Sequence, residues 1–196
     1  MVIGYHLIIT AYGFWLPNDP RGSWSDFVGA WELFRFGRAT KTDCRQSVAS
    51  KPHNQHTRLA AKKALKYPEV HFMGIQARAI GRGFANFVQR SGLTVWACSI
   101  LPEHVHFVIA RHQYNVEQVA NLLKGAATKL LIEEKIHPFK NYSTKNGRLP
   151  KAWAQRLWKV FLDSNKDIHR AIKYVENNPL KEGKPRQQWS FTTSLK

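Results

Sequence analysis

Apolar positions recur along this chain with two different periods, and the switches between them mark out strands and helices. YHLIITAY, from Tyr5 to Tyr12, is β-branched and aromatic and runs into the turn-rich WLPNDPRGSW, which predicts a strand leaving a loop. LTVWACSIL (Leu93 to Leu101) and HVHFVIA (His104 to Ala110) predict two more strands, and the short Pro102-Glu103 link forces them into an antiparallel hairpin. Helical spacing governs Ile75 to Gln89, where Ile75, Ala79, Phe84, Phe87 and Val88 share a face that Gly81 and Gly83 weaken. It returns more strongly at Val116 to Glu134 through Val119, Leu122, Leu123, Ala126, Leu130 and Leu131. Beyond a polar loop at Asn141 to Pro150, Trp153, Trp158, Val160 and Phe161 predict a last strand. Asp163 to Asn178 then predicts a last helix, with Ser164 or Asp167 as cap and Pro179 as its stop.

The order strand, helix, strand, strand, helix, strand, helix is the split βαβ arrangement. It predicts an α+β domain: a ferredoxin-like, RRM-like antiparallel sheet with helices on one face, the other face open, and an added C-terminal helix. Residues 25–71 mix Gly, Ser, Asn, Lys and His without a sustained period and read as an insertion or flexible arm, with a polar cluster at His53, Asn54, Gln55 and His56. Residues 181–196 read as a basic tail of the same single domain, spanning 1–196.

Charge changes this picture more than composition does. A 43% hydrophobic content is ordinary for a folded domain, but 30 Lys and Arg against 13 Asp and Glu leave a net charge of +17. A field of that size calls for a polyanionic partner, and nucleic acid fits because phosphate contacts add up along a backbone. A membrane is the weaker reading, since no stretch approaches ~18 consecutive apolar residues and MVIGYHLIITAYGFW lacks the basic start of a signal peptide. The expected location is the cytoplasm, in association with the nucleoid. Cys44 and Cys98, without CxxC spacing, read as plain thiols.

Candidate chemistry lies on the third strand and the last helix. Alternation along a strand puts His104 and His106 on one face, about 7 Å apart, with Val105, Phe107 and Ile109 on the other, so both imidazoles can reach one ion. A register slip of one residue would drive both into the core. Tyr174 and Asn178, four residues apart, share a helix face away from Ile168, Ile172 and Val175. The bland alternatives are two surface histidines, an amphipathic tyrosine at a helix edge and an Asn-Pro helix terminator.

LPEHVHFVI followed some seventy residues later by AIKYVENNPLKEG resembles the Y1 (IS200-like) transposases of the His-hydrophobic-His (HUH) endonuclease superfamily, in the branch of the REP-associated tyrosine transposases. The likeness spans Gly4 to Leu16 and Ile75 to Phe191, whereas Ser25 to His71 matches no familiar pattern. The resemblance implies that His104 and His106 bind a divalent cation, that Asn178 is its third ligand, and that Tyr174 is a covalent nucleophile. It further implies a 5′-phosphotyrosine intermediate with a free 3′-hydroxyl, formed on single-stranded, hairpin-forming DNA. Mn²⁺ accepts nitrogen ligands more readily than Mg²⁺, while availability favours Mg²⁺ in the cell. No nucleotide cofactor is expected, because the phosphotyrosine conserves the phosphodiester energy and no GxxxxGK[ST] loop occurs.

Around this site Lys124 and Lys129, Arg170 and Lys173, and Lys181, Lys184 and Arg186 are candidate phosphate contacts, and Trp15 and Trp24 candidate stacking platforms for unpaired bases. Glu103 is either an orienter of the histidines or a turn residue. Two other readings stay open: a basic DNA-binding protein on the same fold that does not cut, and a His-x-His hydrolase of small phosphoesters. A monomer with its site complete and a homodimer exchanging the tyrosine helix are equally compatible with the sequence.

Overall fold

A computed structural model describes residues 1–14, 16–17, 31–38, 54–144 and 146–195. Four strands, β1 (Gly4–Ala11), β2 (Val95–Ile100), β3 (His104–Ala110) and β4 (Trp153–Leu162), form one antiparallel sheet in the order β2-β3-β1-β4. That order is the one expected of a ferredoxin-like sheet. The helices are α1 (Gln55–Lys63), α2 (Gly74–Ser91), α3 (Val116–Glu133) and α4 (Asn165–Lys181).

The sheet has two unlike faces because its strands alternate. Leu7, Ile9, Val105, Phe107 and Ile109 point to one side and meet Phe84 and Phe87 of α2 and Val119, Leu123 and Ala127 of α3 in the main core. On the opposite side α4 lies across β2 and β3, burying Ile168, Ala171 and Val175 against Ala97, Val108 and Leu162. The face expected to be open is therefore partly covered, and the covering helix is the one that carries Tyr174.

Local chemistry explains most of the boundaries. Asn115 caps α3 by accepting from the Gln118 amide at 2.8 Å, while Gln118 accepts from the Asn115 amide at 3.1 Å, a reciprocal capping box. Ser164 caps α4 by accepting from the Asp167 amide. Pro179 does not stop α4 as expected: the ring lacks an N–H, yet the helix continues to Lys181, and the chain turns only at Gly183, whose φ is +67°. Gly81 and Gly83 lie within an unbroken α2 despite their poor helix propensity. They permit close approach, since a Cβ on Gly81 would lie 2.2 Å from the Trp189 ring, and one on Gly83 2.8 Å from Ala126 O and Ala127 Cα of α3.

Two regions differ from expectation. Part of the supposed arm at 25–71 is structured: a 3-10 helix at Trp31–Phe36 and α1, capped by Asn54, enclose a small cluster of Leu16, Leu33 and Ala61. These elements bury too few residues to impress a period on the sequence. The supposed basic tail also packs down. Gln187 exchanges two hydrogen bonds with the backbone of Ile100, both at 2.7 Å, the Thr193 amide donates to Val95 O at 2.8 Å, and Phe191 is buried in the main core. The tail thus lines the outer edge of β2.

One irregularity interrupts β4. Leu157 pairs with Ile9 and Trp153 with Ala11, so three residues of β4 stand opposite Thr10 alone. The ammonium of Lys124, on α3, donates to the carbonyls of Ala154, Gln155 and Arg156 at 2.8, 3.4 and 3.1 Å. Lys124 is only 7% exposed, and burial holds its pKa down at about 8. It is not the surface phosphate contact expected of it; its charge serves the carbonyls of the bulge.

Candidate functional site

The α4-facing side of the sheet gathers the polar residues that the core excludes. Pairing between β1 and β3 sets Thr10 opposite His104 and Ile8 opposite His106, while β2 places Ser99 beside His106. His104 and His106 lie on one face as expected, with ring centroids 4.8 Å apart and planes at 82°. Phe14 packs on His104 with centroids 5.0 Å apart. His106 is 3% exposed.

The helix brings the second half of the site. Tyr174 is 43% exposed, and its ring stands edge-on to His106 with centroids 5.6 Å apart. The structure therefore unites the histidine pair and the tyrosine within a single chain. One turn further on, Asn178 is 7% exposed, and after it Lys181 folds back to set its ammonium 4.5 Å from the centre of the Tyr174 ring. Burial raises the Tyr174 phenol above its ordinary pKa of 10.

A third histidine, His6 of β1, belongs to the same cluster and did not emerge from the sequence. Its Nε2 lies 2.9 Å from Nδ1 of His106, the two rings stack at 5.2 Å, and the Tyr174 ring meets it edge-on at 5.6 Å. The signal was available in principle: with Leu7 and Ile9 turned to the core, alternation puts His6 on the polar face, and the ferredoxin-like order puts β1 beside β3.

Burial lowers the pKa of His6 from 6.5 to about 4. That of His106 is also well below 6.5, through burial first and then the charges of His104, His6 and Lys181. Both imidazoles are therefore neutral at pH 7. The unfolded chain takes up protons near pH 6.5 and the folded chain only near 4, so this stabilisation is complete above pH 6.5 and is lost as pH falls. Without metal, the chain is expected to lose about 2 kcal/mol through His6 between pH 7 and pH 5. Urea midpoints at the two pH values check this, and His6→Gln removes the His6 share of the difference while leaving that of His106.

The donor set suits a divalent cation. With Nδ1 of His106 engaged by His6, its Nε2 is the nitrogen left for an ion, and His104 supplies a second imidazole. The hydroxyls of Thr10 and Ser99 are buried without hydrogen-bond partners, a cost of about 1–3 kcal/mol each that an ion with its waters would relieve; the unmet atom of Asn178 is its amide nitrogen, a donor. Among the described residues no three His, Cys, Asp or Glu side chains are placed to hold a metal. Glu103 sits in the link between β2 and β3, where its carboxylate lies 3.3 Å from His71 Nδ1 and its backbone carbonyl accepts from the Ala11 amide at 2.8 Å.

The remaining basic candidates surround α4 and α3. Lys129 and Arg170 are exposed, pairing with Glu133 and Asp167 at 3.7 and 3.3 Å, and Lys173 is exposed beside Tyr174. Lys184 pairs with Glu182 at 3.3 Å, and Arg186 donates to Asn177 at 2.8 Å. Trp15 and Trp24 lie outside the described residues, as does Cys44; Cys98 is a free, buried thiol. No described helix is long and apolar enough to cross a membrane.

No curated protein matches the chain. Among solved structures, a REP-associated tyrosine transposase bound to a REP hairpin superposes with a TM-score of 0.50 at 11% identity, covering 92% of this chain and 68% of the other. A Deinococcus radiodurans R1 protein assigned as a transposase gives 0.42 at 13%, covering 90% and 91%, and only the first is close enough to bear on the fold. The family model described as "Transposase IS200 like" matches residues 48–178. That span begins inside the segment whose sequence had matched no pattern, omits β1, and takes in the β3 histidines and the helix of Tyr174. The chain belongs to the IS200-like transposase family.

Proposed function

We propose that this transposase is a metal-dependent, single-strand DNA endonuclease and strand transferase that passes through a 5′-phosphotyrosine at hairpin-forming DNA. The observation that carries the reading is the meeting, within one chain, of Tyr174 with His106 on a sheet face that also holds His104. Hairpin DNA is the ligand named for the solved structure of similar fold, and we extend that ligand class to this chain.

In this reading Tyr174 Oη attacks the scissile phosphorus as the phenolate. The P–O3′ bond breaks, the departing strand end takes up a proton in place of the one the phenol lost, and the phosphate stays joined to the 5′ side through Tyr174. Attack by another 3′-hydroxyl reverses the step and joins a new strand. A divalent cation held by His104, His106 and Asn178 would withdraw charge from the phosphate oxygens. Lys181 is set to balance the negative charge where phosphate and phenolate meet. Arg170, Lys173, Lys184 and Arg186, on the helix of Tyr174 and just after it, offer phosphate contacts, whereas Lys129 stands on α3, across the sheet from the site.

The test is incubation of the chain with a panel of hairpin oligonucleotides carrying single-stranded flanks. A denaturant-resistant protein–DNA adduct is expected with Mn²⁺ or Mg²⁺ and is expected to vanish with EDTA. Hairpin binding without an adduct in either metal would overturn the reading in favour of a DNA-binding protein that does not cut.

A further inference from the structure

We propose that His6 is a positioning residue: it accepts the Nδ1–H of His106 and so fixes Nε2 of His106 as the nitrogen turned to the metal, while its ring braces Tyr174. The inference rests on the reading of His106 as a metal ligand. Its basis is that one imidazole touches both halves of the site, through the 2.9 Å hydrogen bond to His106 and the edge-on contact with Tyr174.

A neutral imidazole has one N–H and one lone pair, and the bond between Nε2 of His6 and Nδ1 of His106 must contain a single proton. If the proton sits on His6, the lone pair of His106 points at His6 and its Nε2 carries a hydrogen that cannot face a cation. If it sits on His106, Nε2 is free to ligate and His6 carries its own proton on Nδ1. Metal-bound histidines usually donate their second N–H to a carboxylate, a carbonyl or water. Here the described partner of Nδ1 is another imidazole, delivered by β1 because Ile8 is the residue opposite His106 and His6 the next on that face.

The length of the side chain at position 6 makes the idea testable. Glutamine can place an amide oxygen near the position of Nε2, asparagine cannot reach it, and phenylalanine keeps the ring but removes the acceptor. The ¹⁵N-labelled full chain, free of metal, is expected to show His106 as the Nδ1–H tautomer in long-range ¹H–¹⁵N spectra. Wild type and His6→Gln should keep that tautomer, whereas His6→Asn and His6→Phe should lose it. Titration calorimetry with Mn²⁺ should show affinity weakened about 10- to 100-fold in the Asn and Phe variants and restored to within about threefold in the Gln variant.

Wild-type-like Mn²⁺ affinity in His6→Phe, or an Nε2–H tautomer of His106 in the metal-free wild type, would overturn the role of His6 even where His104→Ala and His106→Ala abolish binding. No Mn²⁺ binding by the wild type would overturn the metal reading itself, and the role of His6 with it. Equal loss in all three His6 variants, including Gln, would show that the position is needed only for packing and would also overturn the proposal.

Discussion

Tyr174→Phe is expected to form no denaturant-resistant adduct on any hairpin the wild-type chain attacks, with cleavage reduced by ~10⁴-fold or more, as when a covalent nucleophile is removed from other enzymes. The substitution deletes one oxygen from a partly exposed side chain and keeps the ring that meets His6, His106 and the Lys181 ammonium. Unfolding midpoint and hairpin affinity should therefore stay within about 0.5 kcal/mol of wild type. Burial also predicts the pH behaviour. With the phenol held above 10, less than about one molecule in a thousand is phenolate at pH 7, so adduct formation should rise about tenfold per pH unit from 7 to 9. An adduct that persists in Tyr174→Phe would move the nucleophile elsewhere, and a flat pH profile would mean that loss of the phenolic proton does not limit the reaction.

Gly83→Val is expected to cause a large stability loss, about 3 kcal/mol or more, equivalent to a fall in Tm of roughly 6–12 °C. A Cβ at this position would sit 2.8 Å from Ala126 O and Ala127 Cα. Those are backbone atoms of α3, so relief requires the helices to separate and the contacts around Phe84, Leu123 and Ala127 to open. Gly125→Val supplies the control, because a Cβ on Gly125 meets nothing within 4 Å and valine is slightly the better helix former. Thermal unfolding should separate the two variants by several degrees in opposite directions, and equal midpoints would mean that the close approach of α2 and α3 is wrong.

The parts of this fold legible in the sequence are those where one residue pattern answers to one surface. β3 begins and ends at the residues expected because Val105, Phe107 and Ile109 face the core and the histidines face away. The other strands and α2, α3 and α4 were legible for the same reason, and their order was enough to give the sheet. What stayed hidden depends on partners far along the chain. His6 gains meaning only from a register that brings it to His106, one hundred residues away. Lys124 reads as an exposed cation on an amphipathic helix until the bulge in β4 supplies three carbonyls to its ammonium. The basic residues of the tail mask Trp189 and Phe191, whose stacked rings, with centroids 6.0 Å apart, lie against α2. Pro179 misled as a stop because a proline removes one hydrogen bond without obliging the following residues to leave the helix.

The tail and the bulge bear on a hazard separate from catalysis. An open sheet invites a neighbour's strand at each border, and a border with unmet amides and carbonyls is a template for aggregation. Along β2 that template is denied, since Gln187 answers both backbone groups of Ile100 and Thr193 takes the carbonyl of Val95. Along β4 it is broken, since the bulge spoils the straight run and Lys124 occupies its carbonyls. Both borders of the sheet are thereby made poor seeds for ordered stacking of chains, and the net charge of +17 adds mutual repulsion between copies.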